Sequence, residues 1–184
     1  MNVFINCLVF FFIYAFLGWC VEVSFVAITR GKVVNRGFLN GPVCPIYGVG
    51  MVGILYALEP LKDNAIVLFI GGVVICSVLE LFTGWILDKI FRMRWWDYSE
   101  RKRNLDGYIC VSASVFWGAL GYVAVRFGNR FIIFLLTILP YILMRILLLI
   151  LIVVLFIDVF ASVMLLSGKS RNAERWAAAD AGID

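Results

Sequence analysis

Four ionisable residues fall inside or at the margin of long apolar stretches: Glu22, Glu80, Arg145 and Asp158. A charge at the centre of a membrane-spanning helix costs ~2.5–3.5 kcal/mol for Arg or Asp even on the gentlest scale, so such residues mark candidate functional sites. Glu80 lies about four residues, or ~6 Å at the helical rise, from the midpoint of its stretch. Arg145 is almost at the midpoint of its own, so the two are expected to face inward and pair. Glu22 and Asp158 lie near stretch ends; reaching water is an equal reading for Glu22 and the favoured one for Asp158. Glu80, Gly84 and Asp88 recur every four residues, as do Tyr14, Gly18 and Glu22; each set stripes one helix face. A glycine in such a stripe lets another chain come close. The stripes are therefore either packing seams ending in acids or the walls of a polar site on the cytoplasmic half.

Cys44 and Cys110 sit where the chain re-enters apolar stretches, after Asn40-Gly41-Pro42-Val43 and Asp106-Gly107-Tyr108-Ile109. Asn or Asp before Gly is turn chemistry that leads a chain back into a membrane. The stretches that follow are interrupted by Gly48, Gly50 and Gly53 in one and by Gly118 and Gly121 in the other. Glycine-broken spans at matching places point to a transporter's binding site. The substrate- or ion-binding candidates are thus Glu22, Glu80, Asp88, Arg145, Asn40, Asp106, Cys44 and Cys110, and no catalytic residue is assigned. Histidine is absent, which removes His ligands, bases and proton shuttles. Thiolates suit soft metals, but the five cysteines form no CxxC and no disulfide framework. They read as small hydrophobes, and neither a metal nor a cofactor is expected.

These residues recur because the chain repeats. Residues 82–110, slid back by 66 positions, lie without a gap on 16–44 with 7 identities in 29 positions. Composition places the repeats in a membrane: 64% of residues are hydrophobic and 15% charged, with a mean hydropathy of +1.01, against roughly 45–50% and about 25% in soluble domains. Five apolar segments emerge, Val3–Ala27, Val43–Leu58, Ala65–Leu87, Tyr108–Val125 and Phe131–Ile157. A bilayer core needs ~20 helical residues, so the second and fourth are short. The first lacks the basic flank and small-residue cleavage site of a signal peptide and reads as a span.

The expected fold is all-α: a polytopic membrane protein of five transmembrane helices, comprising two parallel two-helix repeats (about 14–58 and about 80–124) and one extra helix, 131–157. The transmembrane domain would run over 1–166, leaving 167–184 as a short cytoplasmic tail. Twelve basic residues fall in Thr29–Pro42, Asp88–Gly107 and the tail, against three, Lys62, Arg126 and Arg130, on the other side. The positive-inside rule then sets the N-terminus outside and the C-terminus in the cytoplasm. Parallel repeats are related by an axis along the membrane normal. The loop aromatics in Arg94-Trp95-Trp96-Asp97-Tyr98-Ser99 suit a headgroup belt. In the tail, Ser167-Gly168-Lys169-Ser170 mimics a phosphate-binding loop, but Val163 stands where that loop needs glycine.

Several stretches together carry a family resemblance. They are Phe16-Leu17-Gly18-Trp19, Gly37-Phe38-Leu39-Asn40-Gly41-Pro42, Cys44-Pro45-Ile46-Tyr47-Gly48, Leu79-Glu80-Leu81, Thr83-Gly84-Trp85, Trp95-Trp96-Asp97-Tyr98-Ser99 and Leu105-Asp106-Gly107-Tyr108-Ile109-Cys110. In these the chain resembles the bacterial ABC-transporter type IV permeases, over roughly residues 4 to 125. Members usually have Asn where this chain has Asp106. The resemblance implies transport without a substrate: a permease or transporter subunit for a small solute in the bacterial inner membrane. Five helices enclose little space, so a homo-oligomer or another membrane subunit is expected, with a separate ATPase and no nucleic acid. The competing reading is a membrane enzyme or accessory subunit acting on lipid or on another membrane protein, with Cys44 or Cys110 as nucleophile beside Glu22 or Asp88.

Overall fold

The computed structural model describes residues 3–61 and 63–180. Helix α1 runs Val3–Arg30, α2 Pro45–Ala57, α3 Ala65–Phe91, α4 Val111–Val123, α5 Asn129–Ile138 and α6 Tyr141–Asp180. Local chemistry sets several boundaries. Asn64 caps α3 by accepting from the backbone N–H groups of Ile66 and Val67, an N-cap geometry. Pro45 opens α2, where its missing N–H is no loss. Between α3 and α4, strands β1 (Asn104–Leu105) and β2 (Ile109–Cys110) pair antiparallel. Their hairpin turns on Asp106 and Gly107, both at positive φ (49° and 74°). Two successive positive φ values are the mark of the Asp-Gly hairpin turn.

Four helical runs are long and apolar enough to cross a membrane: Val3–Thr29, Ala65–Phe91, Val111–Ile138 and Tyr141–Gly168. The fifth expected span, α2, has only 13 residues, because the chain folds back along α1 before turning outward. The Cys44 N–H donates to the carbonyl of Ala15 at 2.9 Å, halfway along α1. Helix α1 packs along α2, and α3 along α4.

The extra helix differs from its expected bounds of 131–157. Arg126 to Arg130 do not form a loop. A π-helical turn over Ala124–Gly128 joins α4 to α5, so the fourth run continues to Ile138. A helical bulge keeps every backbone group bonded, whereas an open loop in lipid would not. The break comes at Leu139 and Pro140. Leu139 is extended, with ψ 130°, as expected of a residue before proline. Helix α6 then runs through the first part of the expected tail; residues 181–184 lie outside the described residues. The core has two parts: Tyr14, Met51, Ile54, Leu68 and Ile132 in one, and Val9, Phe12, Met144 and Leu148 in the other.

Candidate functional site

Glu80 stands on the face of α3 turned toward the other helices and is 6% exposed. Its Oε1 accepts the Tyr98 hydroxyl at 2.9 Å and the Trp117 Nε1–H at 3.3 Å. Its Oε2 is buried with no hydrogen-bond partner among the described residues. The Trp117 ring meets that of Tyr47 edge-on, centroids 5.3 Å apart. The Tyr47 hydroxyl in turn donates to Glu22 Oε1 at 2.5 Å, and Arg36 Nε stands 4.0 Å from Glu22 Oε2. The line Glu22–Tyr47–Trp117–Glu80–Tyr98 thus draws on α1, α2, α4, α3 and the loop after α3. A buried carboxyl oxygen without a partner, on a carboxyl bonded by an indole and a phenol, has hydrogen-bonding capacity that the described residues do not use.

Asp88, two turns further along α3, is held as Glu22 is. A tyrosine of the returning chain donates to it, Tyr108 at 2.7 Å, and a loop arginine pairs with it, Arg94 Nε at 3.3 Å. In both places a glycine four residues before the acid makes room for the tyrosine. A Cβ on Gly18 would fall inside the Tyr47 ring, and one on Gly84 would come within 3.2 Å of both Trp96 and Tyr108. Arg94 also donates to the Asp106 carbonyl at 3.0 Å and lies 4.6 Å from the Tyr108 ring centroid. Burial, then the nearby Glu80 charge, pushes the Tyr98 phenol well above its ordinary pKa. The hydroxyl and backbone N–H of Ser99 hold the Asp97 carboxyl below its usual range.

Asp158 secures the first loop. Its carboxylate accepts from the backbone N–H groups of Asn40 (3.1 Å) and Gly41 (2.8 Å) and from the Asn40 side chain, which also donates to Ser162. Asn40 therefore docks α6, away from Glu80. Arg145 goes elsewhere: it is the fifth residue of α6, exposed, its guanidinium 5.4 Å from the Tyr141 ring centroid. Because Pro140 delays the start of α6, Arg145 lies ~6 Å from that helix end, whereas Glu80 lies ~22 Å from the start of α3. The structure does not bring the two together. Both buried thiols stay local, Cys44 Sγ 3.6 Å from the Arg36 carbonyl and Cys110 Sγ 3.3 Å from Ser112 Oγ. Among the described residues, no three Cys, Asp or Glu side chains are grouped to hold a metal ion.

Sequence reasoning missed Trp117, Tyr47 and Tyr98 as partners of the acids. Trp95 and Trp96, from the same loop as Tyr98, donate to the Gly37 and Tyr108 carbonyls. Also missed was Asn129 beside the π-helical turn, which accepts the Tyr14 hydroxyl inside the core.

The family model described as Putative ABC-transporter type IV matches residues 9–163. The chain belongs to that family. No curated protein and no solved structure matches it. In this ABC-transporter type IV chain the matched stretch takes in α1 from residue 9, α2 to α5 and α6 to residue 163, and with them the Glu22–Tyr98 line and the Asp158 clasp. The apolar helices and the family together make it a membrane protein of ABC-transporter type.

Proposed function

We propose that the chain is a permease subunit that passes a small solute at the polar line between the α1–α2 and α3–α4 pairs. The observation that carries this reading is the buried Glu80 carboxyl with one oxygen unpartnered. An intramembrane carboxyl without a full set of partners is costly unless a ligand completes it. The matching Gly18–Tyr47–Glu22 and Gly84–Tyr108–Asp88 clusters support a duplicated helix pair with the site at its centre. The basic loops at one end support a bacterial inner-membrane protein with that end in the cytoplasm, where a separate ATPase would dock. Assembly as an oligomer or with another membrane subunit follows from the little space one chain encloses.

The test compares small-molecule profiles of cells overproducing the wild type, Glu80→Gln and Trp117→Phe at equal membrane abundance. The reading expects a solute whose cellular level shifts with the wild type and not with either variant. A shift that persists in both variants would remove the Glu80 line from the transport path.

A further inference from the structure

Outside the Glu80 line, an open cleft of about 680 Å³ lies at the basic end between α3 and the loop that follows it. Its walls include Trp85 and Lys89, one turn apart on α3, with Arg94, Ser99 and Asp106 opposite. The charges in it are not equivalent. Arg94 is engaged by Asp88 and Asp97 at 3.3 and 3.5 Å. Lys89 and Asp106 are both exposed, and neither side chain makes an ion pair or a hydrogen bond with a described residue. One cleft therefore presents a cation, Lys89, which the neighbouring Asp88 offsets only through space, and an anion, Asp106, and the two do not pair with each other. A ligand that is itself a zwitterion fits such a pair better than a simple anion, which Asp106 would repel, or a simple cation, which Lys89 would repel.

Position supplies the source of that ligand. Helix α3 has 27 residues, or ~40 Å, against ~30 Å of bilayer core, so its basic end stands in the headgroup layer. Trp85 is 48% exposed at that level, flanked on α3 by exposed Phe82, Ile86 and Ile90. An amphipathic indole above an apolar shoulder is what an interfacial position looks like. The shoulder offers a place for acyl chains directly beside the cleft.

We propose that this cleft binds the headgroup of a zwitterionic aminophospholipid, with its phosphate on Lys89 and its primary ammonium on the Asp106 carboxylate. Asp106 is held by the turn: its carbonyl accepts from Arg94, and its φ of 49° sets it in the hairpin turn at the cleft's edge. A primary ammonium donates hydrogen bonds to a carboxylate, and a trimethylated one does not. Recognition therefore discriminates phosphatidylethanolamine from phosphatidylcholine at Asp106, and from phosphatidylglycerol by charge. The inference stands apart from the solute path, because none of these residues belongs to the Glu80 line.

The test is lipid retention by the full chain, delipidated in detergent and offered equimolar phosphatidylethanolamine, phosphatidylcholine and phosphatidylglycerol, read by native mass spectrometry. One charge-assisted hydrogen bond is worth about tenfold in affinity, so phosphatidylethanolamine should be retained about tenfold over the other two. Asp106→Asn, which tolerates the positive φ, should erase that preference while leaving phosphatidylcholine retention unchanged. Lys89→Gln should weaken all three, and Lys89→Arg should restore the wild-type pattern. Both positions are exposed, so thermal unfolding should match the wild type. Equal retention of the three lipids, or an ethanolamine preference that survives Asp106→Asn, overturns the proposal. So does soluble phosphoethanolamine displacing the lipid at equal concentration, which would make the ligand a solute.

Discussion

Glu80 carries both of its donors on one oxygen, and each donor can be removed without changing the shape of the site much. Tyr98→Phe deletes the hydroxyl that donates at 2.9 Å. Losing a hydrogen bond to a buried carboxyl costs about 1–3 kcal/mol, so the variant's unfolding midpoint in detergent should fall measurably. In a double-mutant cycle with Glu80→Leu, which removes the acceptor, the two losses should be less than additive; full additivity would mean that the hydroxyl acts on something else. The same residue sets an alkaline limit. Its phenol pKa is raised in the folded state by burial and by Glu80, so the stabilisation is complete below the ordinary phenol value of about 10. It is lost as pH rises through the higher folded value, because the unfolded chain ionises first. The alkaline fall in the unfolding midpoint should therefore be shallower in Tyr98→Phe than in the wild type.

Among the elements, the short loops do more than connect. Each returns along the helix it leaves, and a glycine on that helix decides how closely its tyrosine lies. Gly18 and Gly84 differ in tightness, which makes them a graded pair. A methyl at Gly18 has nowhere to go but into the Tyr47 ring, so Gly18→Ala should destabilise by ~2 kcal/mol or more, the cost of an overpacked interior. Gly84→Ala meets its neighbours at 3.2 Å, where they can give, and should cost clearly less. Thermal unfolding of the two variants checks the order, and equal effects would mean that the tyrosines are not seated as described. Helix α6 is tied to the first loop by a carboxylate bonded to two backbone N–H groups. Asp158→Ala should therefore speed proteolysis within residues 31–44, while Asp158→Asn should do so less.

At the scale of the molecule, the loops 31–44 and 92–110 and the end of α6 share one side, opposite the start of α1 and the turn at Pro140. The basic residues concentrate on that side, and the proposed orientation makes it cytoplasmic. A single cysteine at Ser99 in a cysteine-free background should then resist an impermeant thiol reagent applied outside intact cells and react once the membrane is opened. Efficient labelling from outside would invert the proposed orientation and move the ATPase surface to the wrong face.

Composition and periodicity determined that the chain is helical and membranous, where most helices lie, and that acids stripe two of them. Those properties are sums over neighbouring residues, so the chain carries them locally. The turn at Asp106-Gly107 was legible for the same reason. Register and partnership were not. Arg126-Phe127-Gly128-Asn129-Arg130 resembles a polar loop, yet it continues a helix through a π-helical turn, because the break falls at Pro140. That shift of one boundary moved Arg145 from the middle of a span to its edge and dissolved the expected pair with Glu80. What replaced it, Tyr98 and Trp117, comes from residues 18 and 37 positions away. Only the way the loop folds back along α3 decides that their hydrogens reach one buried oxygen, and no local pattern encodes a contact made at that distance.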